Sequence, residues 1–438
     1  ESTDESKKES TDESKKESTD ESKKESADEA KQESTGESKQ NPADETKPEV
    51  AVENKALAEA PAAKAPVLMT AALAPAPAAP TTPMEEDTVA TITGQDGTTT
   101  QYKSFDEAVS KANNGDTIEV IKDATSTGID LRDKKLTIKG KTVTTTTDSG
   151  TEEKTTVKPK LKFVAKDSQP KIFGITLRGS DLTFQNMDVD MTGVNNTTDN
   201  DWNAICMSGE GNAALTLNNT DLLMDGKGLR SNMQAIYMAG KGRNELNVDD
   251  HSTLTIQNYL NAIAWNGVKD DNKNSTYFIN ITDGSTLTAD SNSVGIVGTT
   301  NVTVDDSTLK VTNNRGNGSN GSHFTITNGS NVLFDGNGTW GISAYSIDMS
   351  EGSTLTATNN GYSGIWTRVL NVDKTCTLDV ESNGTKAFSA ATNPGIFFQG
   401  NGQFKSTIEE GAKVTIKDNA GSGIYTKQTV CDLSLIHI

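Results

Sequence analysis

From about Leu182 to Thr426 the chain alternates apolar and polar residues in short runs, broken at regular points by Asn, Asp and Gly. One motif orders the runs: Ser-Thr-Leu, four residues, Asn, then a Gly-Ile or Ala-Ile pair. Copies begin at Ser252, Ser285, Ser307, Ser330, Ser353, Cys376 and Ala412, with looser versions at Met187 and Thr220. From Ser285 to Cys376 the interval is 22 or 23 residues, and the wider gaps of 33 and 36 equal one period plus a loop of about ten. In Ser353-Thr354-Leu355-Thr356-Ala357 the Ser, Leu and Ala share one face and the threonines the other, as a strand requires. Asn292, Asn314, Asn337, Asn360, Asn383 and Asn419 each follow an apolar anchor by five residues. Asn tolerates left-handed backbone and suits a fixed corner, and stacked copies can bond one another as an amide ladder. A second short strand then carries Ile236, Ile263, Ile296, Ile342, Ile365, Ile396 or Ile424. A third apolar pair, such as Val302/Val304, Ile347/Met349 or Leu370/Val372, leads back to the anchor. Three strands and three corners in one period predict a coil of an all-β solenoid, a parallel β-helix; a right-handed parallel β-helix is expected because common solenoids of this coil length wind that way.

A solenoid needs a cover over its first coil. Phe105, Ala108, Val109 and Ala112 fall at helical spacing before Asn113-Asn114-Gly115, which predicts a capping helix followed by a strand over Thr117–Ile121. The cap and first strands are placed at 88–128 and the β-helix at 129–432. Early coils are expected through Ile129/Leu131, Leu136/Ile138, Leu161/Phe163, Ile175/Leu177 and Leu182/Phe184, with the Thr/Glu/Lys-rich stretch 142–158 as an excursion. No C-terminal cap is visible, so the natural protein is expected to continue.

This repeat, with the helix and the following Gly115-Asp116-Thr117-Ile118, resembles the right-handed parallel β-helix (pectate-lyase-like) superfamily in its repeat-rich bacterial surface-protein branch, over residues 88–431. The resemblance implies the fold and an exported bacterial surface protein, at the cell surface or cell wall. It also raises polysaccharide lyase or glycoside hydrolase activity as the alternative.

Composition changes the picture outside the solenoid. Residues 1–48 repeat Glu-Ser-Thr-Asp-Glu-Ser-Lys-Lys with almost no apolar side chains, which predicts a disordered acidic tail. Residues 49–87 form an Ala/Pro-rich linker whose apolar run is too short and too rich in proline to span a membrane. Leu433-Ser-Leu-Ile-His-Ile438 reads as the translation of a transposon-end sequencing adapter, so 433–438 is expected to be a non-native tail. The formal net charge of −20 argues against nucleic acid and anionic membranes as partners. Cys376 takes the place of an anchor Ser and is expected to be a buried thiol.

The resemblance makes enzyme chemistry worth testing. Polygalacturonase-like sites resemble Asn-x-Asp, Asp-Asp, Gly-His-Gly and Arg-x-Lys on successive coils. Here Asn219-Thr220-Asp221 and Asp249-Asp250 fit, but His323 lies in Gly321-Ser322-His323-Phe324 and no Arg-x-Lys follows. Val304-Asp305-Asp306 repeats the Val-Asp-Asp at the same point of the period, and Asp283-Gly284, Asn328-Gly329, Glu351-Gly352 and Glu410-Gly411 occupy that corner too, so these carboxylates read as turn residues. Asp270, Asp271, Asn272 and Asn274 supply oxygens for a weak calcium site, the one cofactor considered. No catalytic residues are assigned, and the chain is read as a non-enzyme.

Strand alternation sends the residue after each inward Ile outward: Cys206, Tyr237, Ala264, Val297, Ser343, Trp366, Phe397 and Tyr425. The last three are aromatic on consecutive coils, with Trp340 and Tyr362 flanking them. At about 4.8 Å per coil such a stripe spans roughly two sugar rings, so a sugar chain lying on the ring faces is the expected ligand. Thr-x-Thr pairs in several coils suggest ice binding, set aside because the threonines hold no single flat register. The expected function is a monomeric adhesin or scaffold touching a glycan or a host or cell-surface protein through Trp366, Phe397 and Tyr425. A purely structural stalk is the third reading.

Overall fold

The computed structural model describes residues 84–94, 96–146, 152–166, 172–194, 203–226, 233–265, 277–298, 300–386, 393–399, 404–427 and 431–432. The octapeptide repeats, most of the Ala/Pro linker, the segment 266–276 and the last six residues lie outside them.

Each period folds into one coil, and the coils stack into three parallel sheets as a right-handed β-helix, the sense that strand twist favours. The first sheet contains eleven strands, from Ala124–Ser126 to Lys413–Lys417. Its register is unbroken through the repeats: Leu254, Leu287, Leu309, Val332, Leu355, Leu378 and Val414 pair in succession. The second sheet stacks Ile205, Ile236, Ile263 and Ile296, then Ile342, Ile365, Ile396 and Ile424. Between these two runs the coil has Ser319 opposite Ile296, so the Ile column has a gap at Ser319–Asn320 that reading for Ile passes over. The third sheet stacks Val302/Val304, Phe324/Ile326, Ile347/Met349 and Leu370/Val372. One eight-residue strand, Ile342–Met349, serves both sheets: Ile342 and Ser343 pair with the second, and Ser346–Met349 with the third. The inward residues form one continuous buried core along the stack, the favourable term that offsets ordering so long a chain.

Polar corners are threaded into this core. Asn337 donates its backbone N–H to Asn360 Oδ1 at 3.0 Å and its Nδ2 to the same oxygen at 3.0 Å. Asn360 repeats both bonds to Asn383 at 3.1 and 2.8 Å, and Asn383 to Asn419 at 3.0 and 2.9 Å. The ladder begins upstream, where Tyr259 N–H reaches Asn292 Oδ1 and Asn292 N–H reaches Asn314 Oδ1. Each Nδ2 also meets a backbone carbonyl, as Asn360 does at Phe334 O, 3.1 Å away. From Asn292 to Asn383 these amides are buried with their polar atoms bonded, as a low-dielectric interior requires, and Asn419 at the last coil is partly exposed.

The left-handed backbone sits one residue earlier than the sequence predicts. Ser291, Asn313, Gly336, Asn359, Ser382 and Asp418 have φ of 52 to 64°, each immediately before a ladder Asn. The reversal happens there, and it swings the next side chain into the interior, where its amide becomes the ladder rung.

A second ladder lies at the opposite corner. Ser252 N–H donates to Ser285 Oγ, Ser285 N–H to Ser307 Oγ, and Ser307 N–H to Ser330 Oγ, at 3.1 to 3.2 Å. Asp283-Gly284, Asn328-Gly329 and Glu351-Gly352 at this corner have positive φ at both positions, and Ser285 N–H closes the turn on Thr282 O at 3.3 Å. That is the mirror-image turn such dipeptides favour. Asp250, Asp283, Asp306 and Glu351 at this corner are turn residues at positive φ, whereas Asp249 and Asp305 end the preceding strands. Cys376 is fully buried at the equivalent inward position.

The cap is present. The helix spans Phe105–Lys111, with Glu107 N–H donating to Ser104 Oγ at its start and Phe105 and Ala108 buried. Strand Ala90–Thr93 runs antiparallel to both Thr99–Tyr102 and Thr117–Val120, and the latter joins the third sheet in parallel with Lys135–Gly140. The first coil starts slightly earlier than the sequence suggests, because Ala124–Ser126 already pairs with the first-sheet strand Lys160–Phe163. The stretch expected as an excursion contains an antiparallel pair, Thr142–Thr146 with Glu152–Thr156, in a sheet of its own.

Candidate functional site

The outward column of the second sheet follows from register alone. Cys206, Tyr237, Ala264, Val297 and Asn320 succeed one another, and Ser343, Trp366, Phe397 and Tyr425 continue the same face. Ala264 is nevertheless buried, because its methyl is shorter than the neighbouring Tyr237 and Val297 side chains. Asn320 belongs to the column and was missed, since its coil has no Ile to mark it.

Trp366, Phe397 and Tyr425 come together as expected, and Trp340 and Tyr362 join them. Ring centroids are 5.7 Å apart for Trp340 and Tyr362, 4.3 Å for Trp340 and Trp366, 5.4 Å for Trp366 and Phe397, and 5.3 Å for Phe397 and Tyr425. Tyr425 is 40% exposed, and the other four rings are half-buried. The five rings form one ridge along the stack.

Their orientation differs from a flat platform. Phe397 and Tyr425 lie at 22° with overlapping faces, while Trp366 meets Phe397 at 68° and Trp340 at 63°. Two rings lying flat side by side cannot bring their centroids this close. Phe397 and Tyr425 therefore do not both offer open faces to successive sugars. Alternation fixes the side on which a ring emerges, but the ring's rotation is set by contact with the next coil, which the sequence does not show.

A second group lies at the neighbouring corner, where residues 345, 368 and 404 occupy equivalent places in successive coils. The Arg368 guanidinium is 4.8 Å from the Tyr345 ring centroid and 5.9 Å from that of Phe404. His323 stacks on Tyr345 with centroids 5.3 Å apart, and its Nδ1 is 3.0 Å from Ser346 Oγ. Burial holds the His323 imidazole below its ordinary range, against a smaller opposing effect of Asp348.

The residues weighed for hydrolysis are dispersed. Asn219 and Asp250 are turn residues at positive φ. Asp221 heads a first-sheet strand and pairs with Lys158 at 3.4 Å, Asp249 ends a third-sheet strand and accepts from Thr282 Oγ1 at 2.7 Å, and His323 is in the third sheet several coils on. Asp270, Asp271, Asn272 and Asn274 lie outside the described residues. Among the described residues no group of three or more His, Cys, Asp or Glu is placed to hold a metal ion.

The threonines do keep register, contrary to the expectation. Thr253, Thr286, Thr308, Thr354 and Thr377 form one first-sheet column interrupted by Asn331, while the next mixes Thr255, Thr288, Lys310, Leu333, Thr356 and Asp379. Residue identity breaks the array; geometry does not. No helix among the described residues is long and apolar enough to cross a membrane. No family model, curated protein or solved structure matches the chain.

Proposed function

We propose that the chain is a non-catalytic scaffold of the pectate-lyase-like β-helix class, displayed on the outside of a bacterial cell, which makes adhesive contacts through the aromatic ridge. In this reading the acidic repeats and the Ala/Pro linker hold the β-helix away from the cell wall. The ridge is the observation that carries the proposal. Outward positions of the neighbouring faces are mostly Thr, Asn, Asp and Lys, whereas five aromatic rings touch in sequence at Trp340, Tyr362, Trp366, Phe397 and Tyr425. Contiguous apolar surface of this kind marks contact sites, and a packed ridge on a stiff support loses little side-chain freedom on binding.

The test is binding of the protein and its Trp366→Ala variant to a glycan array and to host cells. The variant is expected to lose most of the signal on whichever surface the parent binds. Equal signal from both proteins removes the ridge as the contact site. Release of reducing ends or unsaturated products from pectin would replace this reading with an enzymatic one.

A further inference from the structure

Resting on that reading, we infer that the ridge takes a carboxylate-bearing segment of a partner protein, with Arg368 as the residue that pairs with the carboxylate.

Three observations converge. First, Phe397 and Tyr425 stack at 22° with centroids 5.3 Å apart, so the faces they turn to each other are taken up and their edges stay available. An aromatic ring is negative on its faces and positive around its edge, so this surface favours electron-rich oxygens over the C–H faces of a neutral sugar.

Second, Arg368 follows Trp366 by two residues and emerges beside the ridge, half-buried. Its guanidinium rests against Tyr345 and Phe404, yet it makes no ion pair among the described residues, although the chain carries 61 acidic side chains. By contrast Arg243 and Lys417, also on the solenoid's outer surface, are paired with Glu245 and Glu381. An arginine resting against aromatic rings still carries its N–H donors in a rigid planar fork, the geometry that grips a carboxylate with two bonds. Those rings reduce competition from water and strengthen such a bond.

Third, the residue types gathered here are those that dominate protein–protein contacts. Trp, Tyr and Arg carry most of the energy of such interfaces; Trp340, Trp366 and Tyr425 supply them in the ridge, and Tyr345 and Arg368 at the neighbouring corner. The net charge of −20 does not exclude an acidic partner, because repulsion between distant surface charges is screened within about 8 Å at physiological salt, while the Arg368 pair forms at contact.

The experiment measures binding of the full chain at physiological salt to two immobilised polyanions. One is a random copolymer of glutamate and tyrosine; the other is polygalacturonate, which has carboxylates but no peptide. The parent is expected to bind the copolymer and not the polysaccharide. Arg368→Gln should weaken copolymer binding about tenfold, the scale of one charge-assisted hydrogen bond, and Arg368→Lys should recover only part of it. Circular dichroism and melting of each variant confirm that the coils remain folded. No binding of the copolymer, equal binding of both polyanions, or an Arg368→Gln variant as tight as the parent would each overturn the inference. If Trp366→Ala loses binding and Arg368→Gln does not, the ridge stands as a contact site and the carboxylate partner falls. If neither variant loses binding, both fall.

Discussion

Asn360 shows how much one side chain does in this structure. Its Oδ1 accepts from both nitrogens of Asn337, and its Nδ2 donates to Phe334 O and to Asn383 Oδ1, all away from solvent. Asn360→Ala leaves several buried groups without partners at once, so a loss of about 2–4 kcal/mol is expected, at the upper end for buried unsatisfied polar atoms. A shift of the denaturant midpoint without a change in slope measures it. A loss near zero would mean that water enters the corner and replaces the amide. The ladder was legible before the structure because the same residue type recurs at a fixed offset. The strained backbone was not. Asn313 and Asn359 hold the left-handed angle, but so do Ser291, Ser382 and Asp418, and no single residue type marks the place. Ring rotation at Trp366 was equally hidden, since it depends on which atoms of Phe397 and Trp340 stand next to it.

At the level of elements, the turns between the third and first sheets bring acidic side chains of successive coils together. The Asp249 carboxyl, hydrogen-bonded to Asp283 and of like charge, pushes the Asp283 carboxyl above its ordinary value, and Asp305 and Asp306 add to the effect. The folded value lies above that of the unfolded chain. The arrangement is therefore favoured in acid and loses stability as pH rises through the carboxylate range. Asp283→Asn removes the repulsion while keeping a residue suited to left-handed backbone. The variant should melt higher than the parent at neutral pH, with the gap closing in acid, where the parent's Asp283 carboxyl holds its proton. A gap independent of pH would assign the gain to the turn backbone instead. The strands were legible almost to the residue because alternation and the Leu, Ile and Val columns agree. The element that departs is Ile342–Met349, which runs through a corner where two separate strands were expected. Its neighbour in the third sheet, Ser322–Thr327, shows the accompanying register shift between Ser322 and His323.

At the level of the molecule, each coil touches chiefly the coils before and after it, so stability accumulates by neighbour contacts along one dimension. Weakening two adjacent rungs should divide the stack. The double variant Asn337→Ala/Asn360→Ala is expected to unfold in more than one step, with the van't Hoff enthalpy falling below the calorimetric enthalpy while the parent shows closer agreement. A single sharp transition in both proteins would show that the core couples all coils too tightly for local damage to separate them. The sequence made the architecture legible at this scale and the ridge visible as a column. It could not say which chemistry the column prefers, because that follows from how rings and Arg368 turn toward solvent.

The bond from Asn383 to Asn419 crosses 36 residues of chain, and the one from Asn360 to Asn383 crosses 23, yet their lengths are 2.9 and 2.8 Å. The rung is thus indifferent to how much chain is spliced in between. A foreign epitope or enzyme grafted into that interval can ride on the rod as cargo, held at a defined height on a mast that does not register its weight.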